Sequence, residues 1–170
     1  VHSRVTSIPA LQLSRFSHLT RLCLRQNLIS RVDLPASVAR QLRELDLYDN
    51  RVGHLRGEGW EALTELEVLD LSFNNVKHVK NIGHMQKLRD LYFVQNAIRR
   101  IENLEGQAGT LRNLELAANK IGEMENLRQL RALEELWLGR NRLTEIKDIS
   151  GLSQLKILSL PSNRLTALSG

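Results

Sequence analysis

The sequence predicts an α/β solenoid, with a curved parallel β-sheet on its concave face and short 3₁₀ or helical turns on its convex face. Three observations carry this. The pattern LxxLxLxxN occurs seven times in 170 residues. Its asparagines, Asn27, Asn50, Asn74, Asn96, Asn119, Asn141 and Asn163, are 23, 24, 22, 23, 22 and 22 residues apart, which is one structural unit per repeat. Between repeats, apolar residues recur at every third position, as in Ile121, Met124, Leu127, Leu130 and Leu133.

Each element follows from side-chain geometry. The segments are "LTRLCLRQN", "LRELDLYDN", "LEVLDLSFN", "LRDLYFVQN", "LRNLELAAN", "LEELWLGRN" and "LKILSLPSN". Two leucines two apart share one face of a strand, so LxL is the strand and its leucines point to the core. A one-way return leads from each strand to the next, so successive strands run parallel and stack side by side. The asparagine closes the strand. Its amide can both donate to and accept from the backbone of the turn and the neighbouring coil, so the seven form a structural ladder rather than a catalytic array. The period of three on the return leg matches 3₁₀ geometry better than the α-helical period of about 3.6. Short 3₁₀ turns with one brief α-turn are expected there. Together these features are the leucine-rich-repeat signature.

Three spacings exceed 22 residues, and two of these coils carry glycine-marked insertions. "HLRGEGWEAL" (54–63) carries two extra residues and "IENLEGQAGTL" (101–111) one, and their glycines mark surface bulges. Trp60 is expected to fill the space of a missing leucine. Val5, Ile8 and Leu11 read as the tail of a partial N-terminal coil, and "LTALSG" stops within a repeat. Residues 1–170 are therefore expected to be a single leucine-rich-repeat domain of about seven repeats, and a segment of a longer solenoid.

Composition narrows the function. Hydrophobic residues are 42% and charged residues 25%, a globular balance. Net charge is +5, from 24 Lys and Arg against 19 Asp and Glu. The single cysteine, Cys23, excludes an intrachain disulfide and a thiolate zinc site, and fits a reducing compartment. No apolar run is long enough for a membrane span or a signal peptide. His2, His18, His54, His78 and His84 are scattered, with no nucleophile at motif spacing, and no glycine-rich phosphate loop is present. No catalytic residues, metal or cofactor are expected.

The outward positions carry the functional information. The middle residue of LxL gives Cys23, Asp46, Asp70, Tyr92, Glu115, Trp137 and Ser159, a column of about 29 Å at ~4.8 Å per strand. The adjacent outward position reads Arg21, Glu44, Val68, Asp90, Asn113, Glu135 and Ile157. Asp70, Tyr92, Glu115 and Trp137, flanked by Asp46, Asp90 and Glu135, form one acidic and aromatic patch, a pairing typical of protein-binding hot spots. Basic residues gather elsewhere: Arg51, Lys120, Arg142 and Arg164 follow a ladder asparagine, and Lys77, Lys80, Arg99 and Arg100 lie on the turn beyond. A basic rim around an acidic floor argues against nucleic-acid binding, which needs cations on the contacted surface. The rim reads as ordinary solubilising charge.

The runs "LCLRQNLI", "LRELDLYDN", "ALTELEVLDLSFN", "LYFVQN", "LEELWLGRN" and "SNRLT" closely resemble the leucine-rich-repeat regulatory subunits of protein phosphatase 1, the sds-twenty-two family. "LDLSFNNVKHVKN" and "LYFVQN" look most like its fungal members. The resemblance implies a non-enzymatic subunit of nucleus and cytoplasm. It would be monomeric by itself and would bind the phosphatase catalytic subunit through its concave face, controlling activity, maturation and a mitotic role. A third, inhibitory subunit is a further implied partner. The family's contact residues fall by position on Asp70, Tyr92, Glu115 and Trp137. Its later repeats and C-terminal cap are not represented here. The competing reading is a leucine-rich-repeat scaffold for another partner, such as an RNA-processing complex.

Overall fold

The computed structural model describes residues 4–166; His2 and the last four residues of "LTALSG" lie outside them. Strands β1 (Arg21–Cys23), β2 (Glu44–Asp46), β3 (Val68–Asp70), β4 (Asp90–Tyr92), β5 (Asn113–Glu115), β6 (Glu135–Trp137) and β7 (Ile157–Ser159) form one parallel sheet in chain order. The register never slips. Leu22, Leu45, Leu69, Leu91, Leu114, Leu136 and Leu158 stand side by side. Leu45, Leu69, Leu91, Leu114 and Leu136 are fully buried. A one-residue slip would turn this leucine column to solvent, so the hydrophobic pattern fixes the pairing.

The chain turns out of each strand through a left-handed residue just before the ladder asparagine. Gln26, Asp49, Phe73, Gln95, Ala118, Arg140 and Ser162 have φ between 53° and 57°. None is β-branched, in keeping with the crowding such side chains suffer at positive φ. The asparagine then satisfies the turn. Asn119 Nδ2 donates to Phe93 O at 2.8 Å, Leu116 O at 3.0 Å and Ala117 O at 3.2 Å. Its Oδ1 accepts Ile98 N–H at 3.0 Å. Asn50, Asn74, Asn96 and Asn141 repeat the arrangement and are buried. Asn27 and Asn163, at either end of the array, are half-buried.

A second ladder, which the LxxLxLxxN motif does not mark, runs along the return legs. Asn81, Asn103 and Asn126 adopt positive φ and donate to Leu55 O, Val79 O and Ile101 O at 3.1, 2.6 and 2.7 Å. Asp148 continues the column with inverted polarity, accepting Leu127 N–H at 2.8 Å.

The convex side holds short 3₁₀ turns at Pro9–Leu11, Leu13–Arg15, Trp60–Ala62 and Glu105–Gln107, and one brief helix, α1 (Ala36–Ala39). In the fifth coil the period of three places residues inward without making a helix. Ile121, Met124, Leu127, Leu130 and Leu133 are all buried, yet only isolated turns close, Leu130 N–H to Leu127 O and Leu133 N–H to Leu130 O. The left-handed Asn126 interrupts the run. Both glycine-marked insertions are pinned from inside. Trp60 is 1% exposed and its Nε1–H donates to Asn81 O at 2.6 Å. Gln107, fully buried, donates to Ile82 O at 2.7 Å and Met85 O at 3.2 Å.

Gly59 caps the Trp60 turn at φ 69°, and a Cβ there would meet Leu34 O at 2.2 Å. Both the conformation and the space exclude a side chain. Gly59→Ala is expected to lower stability by more than about 1 kcal/mol, read as a lower urea midpoint; an unchanged midpoint contradicts it.

Candidate functional site

The two outward columns face the concave side in unbroken register. Asp70 pairs with Tyr92, Tyr92 with Glu115 and Glu115 with Trp137 on successive strands; Asp90, Asn113 and Glu135 form the parallel column beside them. Alternation alone places them there: their neighbours Leu69, Leu91, Leu114 and Leu136 occupy the core. All seven predicted patch residues are half-buried, as suits side chains lying across a concave surface.

The patch divides by charge compensation. In its N-terminal half the carboxylates are occupied. Arg21 bridges Glu44 at 3.0 Å. Arg25 bridges Asp46 at 2.8 Å and Asp70 at 3.4 Å, with its guanidinium 4.6 Å from the centroid of the Tyr48 ring. Tyr48 in turn lies 4.9 Å from Phe73. Asp46 and Asp70 also hold the backbone, accepting Tyr48 N–H and Ser72 N–H at 3.1 and 2.8 Å. Arg25, Tyr48 and Phe73 lie outside the LxL triplets, so the motif passes over them. Their signal was two aromatics and a cation within three residues after a strand. They line a hollow of about 520 Å³ together with Asp70, Tyr92 and Glu115.

The other half is uncompensated. Among the described residues, Asp90, Glu115 and Glu135 take part in no salt bridge. Burial raises the Glu115 carboxyl above the ordinary carboxylate range, and the charge on Asp70 adds to it. Burial likewise raises Asp90; Arg89 and Arg112 oppose this while Glu135 reinforces it. Burial, followed by Asp90, Glu115, Asp70 and Glu135, raises the Tyr92 phenol, which therefore stays neutral. Its hydroxyl accepts Asn113 Nδ2–H at 3.3 Å. Trp137 Nε1–H donates to Glu135 Oε2 at 3.1 Å, which orients the indole over its own strand. Along the far edge, Glu67 bridges Arg43 and Arg89, and Glu134 bridges Arg112 and Lys156.

A carboxyl whose folded pKa is raised adds stability below its unfolded pKa and loses it as pH rises through the folded value. At neutral pH, Asp90 and Glu115 thus cost the fold free energy. Asp90→Asn with Glu115→Gln is expected to raise the neutral-pH stability, by less than about 1 kcal/mol per site, read as a higher melting temperature. The gain should fade as pH falls through the carboxylate range; a gain that persists in acid contradicts it.

Among the described residues no catalytic constellation forms. His84 Nδ1 lies 3.2 Å from Glu61 and His78 Nδ1 lies 3.3 Å from Glu102, both on the return legs. Cys23 is exposed, with Asp46 as its contact at 3.7 Å. Among the described residues, no group of three or more His, Cys, Asp or Glu converges as a metal site, and no helix is long and apolar enough to cross a membrane.

Comparison with known proteins gives concordant results. A leucine-rich-repeat family model matches residues 24–148. The protein phosphatase 1 regulatory subunit SDS22 of Saccharomyces cerevisiae is 43% identical over 86 residues, 50% of this chain and 25% of that protein. The protein phosphatase 1 regulatory inhibitor subunit PPP1R7 homolog of Arabidopsis thaliana is 38% identical over 132 residues, 74% of this chain and 39% of that protein. The chain thus spans well under half the length of either relative. An internalin (inlF) of Listeria monocytogenes superposes with a TM-score of 0.84 at 24% identity, over 98% of this chain and 48% of that one; it shares the fold.

Proposed function

The chain belongs to the leucine-rich-repeat family, and on that premise we propose that it is a non-catalytic regulatory subunit whose concave face binds the catalytic subunit of protein phosphatase 1. The observation that carries this is the run Tyr92, Glu115, Trp137 on three successive strands, beside carboxylates that no cation among the described residues bridges. Half-buried carboxylates without cations carry a desolvation cost that a partner's cations would offset. The aromatics on either side of Glu115 offer apolar anchors. A basic, partly apolar surface is therefore the complement of this face. The phosphatase-regulator relatives make its catalytic subunit the partner of choice.

In this reading the partner meets a preformed curved cradle, held by the two ladders. Little ordering cost is then incurred on binding. Control of phosphatase activity and maturation, including in mitosis, would follow from which surface of the enzyme the cradle covers, and a third, inhibitory subunit could join at a surface left open. Residence in nucleus and cytoplasm belongs to the same proposal.

The test is the affinity of purified phosphatase catalytic subunit for the wild-type chain and for Glu115→Lys. Reversing one uncompensated charge at the centre of the patch is expected to weaken binding about tenfold or more. Equal affinity for both proteins sinks the assignment.

A further inference from the structure

We infer that the turns after the ladder asparagines form a second binding surface, for an extended Asp- and Glu-rich segment of a protein partner. Six consecutive coils each place a cation there: Arg51, Lys77, Arg99, Lys120, Arg142 and Arg164, all exposed. The rim has its own register. Backbone N–H groups of Arg51, Lys120, Arg142 and Arg164 donate to Ile29 O, Ile98 O, Ile121 O and Leu143 O at 2.8–2.9 Å. These four therefore stand in one stacked column, and Lys77 and Arg99 lie two residues further along the same turn. At ~4.8 Å per coil, the row of cations extends about 24 Å over five gaps.

What separates this rim from solubilising charge is, among the described residues, a row of unpaired cations, one on each of six consecutive coils. Elsewhere among the described residues, eleven lysines and arginines bridge a carboxylate, and the seven others that bridge none do not recur coil after coil. None of the six cations in this row bridges a carboxylate. The contrast holds between neighbours: Arg100 bridges Glu125 at 2.9 Å, while Arg99 meets no carboxylate. Within these turns Asp49 is the one acid beside the row. Seven-fold repetition could have placed a carboxylate on the adjacent coil, as it does along both other charged edges of the solenoid. Here it places cation after cation.

The chemistry of the occupant follows from what flanks the row. Toward the floor of the third to fifth coils lies an uncharged strip that includes Val94 and Ala117, with Phe73 at its border, 41% exposed at φ 56°. Beyond the strip are the carboxylates of Asp70, Asp90 and Glu115. A polyphosphate chain would feel that acidic floor along its whole length. Phe73 gives it one stacking partner, where single-strand binders supply a series. A polypeptide can keep its carboxylates on the rim and turn small or apolar side chains to the strip. The rim then steers and retains an acidic segment, while the floor stays open to a basic partner.

Fluorescence anisotropy on the whole chain tests this, with a labelled peptide of alternating Glu and Ser long enough to cross six coils. Binding is expected, weakening with salt. Lys120→Glu with Arg142→Glu should weaken it about tenfold or more. Arg128→Glu with Lys156→Glu makes the same change in net charge at paired positions away from the row and should leave it nearly intact. Circular dichroism melts confirm that both double variants fold. The proposal is overturned by no binding, by equal losses in the two variants, or by tighter binding of an oligothymidylate of equal length.

Discussion

Asn119→Ala is expected to destabilise the chain by about 3–5 kcal/mol, because it orphans several buried backbone groups at once at roughly 1–3 kcal/mol each. The side chain donates to three carbonyls and accepts one N–H, and alanine replaces none of these bonds. The donated bonds reach into two successive coils, through Phe93 and Leu116, so the loss loosens the stacking as well as the turn. Asn163→Ala removes the same chemistry from a half-buried rung, where its bonds run to Leu138 O, Leu160 O and Leu143 N and water can replace part of them. Its cost should be clearly smaller. Urea unfolding of the two variants measures the difference. A similar cost for both, or a loss under about 1 kcal/mol for Asn119→Ala, would show that the ladder does not hold the array.

Trp137→Ala is expected to weaken phosphatase binding by about 30-fold or more, the ~2 kcal/mol of a hot-spot aromatic. The same change should leave the fold nearly untouched. The core of that strand is Leu136, fully buried, whereas the indole is half-exposed and bonds only to Glu135 among the described residues. The affinity and the melting temperature therefore separate. A drop in affinity that tracks a drop in melting temperature would mean that Trp137 acts through stability. Unchanged affinity would remove it from the binding surface.

The residues that build the fold and those that decorate it were legible to different degrees. Strand, register and the main ladder read directly from LxxLxLxxN. The second ladder escaped, although Asn81, Asn103, Asn126 and Asp148 are themselves 22, 23 and 22 residues apart, because the residues around them vary from coil to coil. The fifth-coil turns were legible as burial but not as hydrogen bonding, since a period of three puts Ile121 to Leu133 inward whether or not the turns join into a helix.

The concave patch shows the division most clearly. Its membership follows from alternation: a strand side chain has two directions, and a column of leucines can lie only inward, so Asp70, Tyr92, Glu115 and Trp137 must face out. Which of those charges remains available to a partner does not follow. Arg25 reaches Asp46 and Asp70, 21 and 45 residues away along the chain, only after three coils are stacked within side-chain reach. Among the described residues no cation bridges Glu115 in the same way. Periodicity specifies direction because it is a property of the local backbone. Charge compensation depends on where long side chains meet across coils, and that is set by the stacking itself.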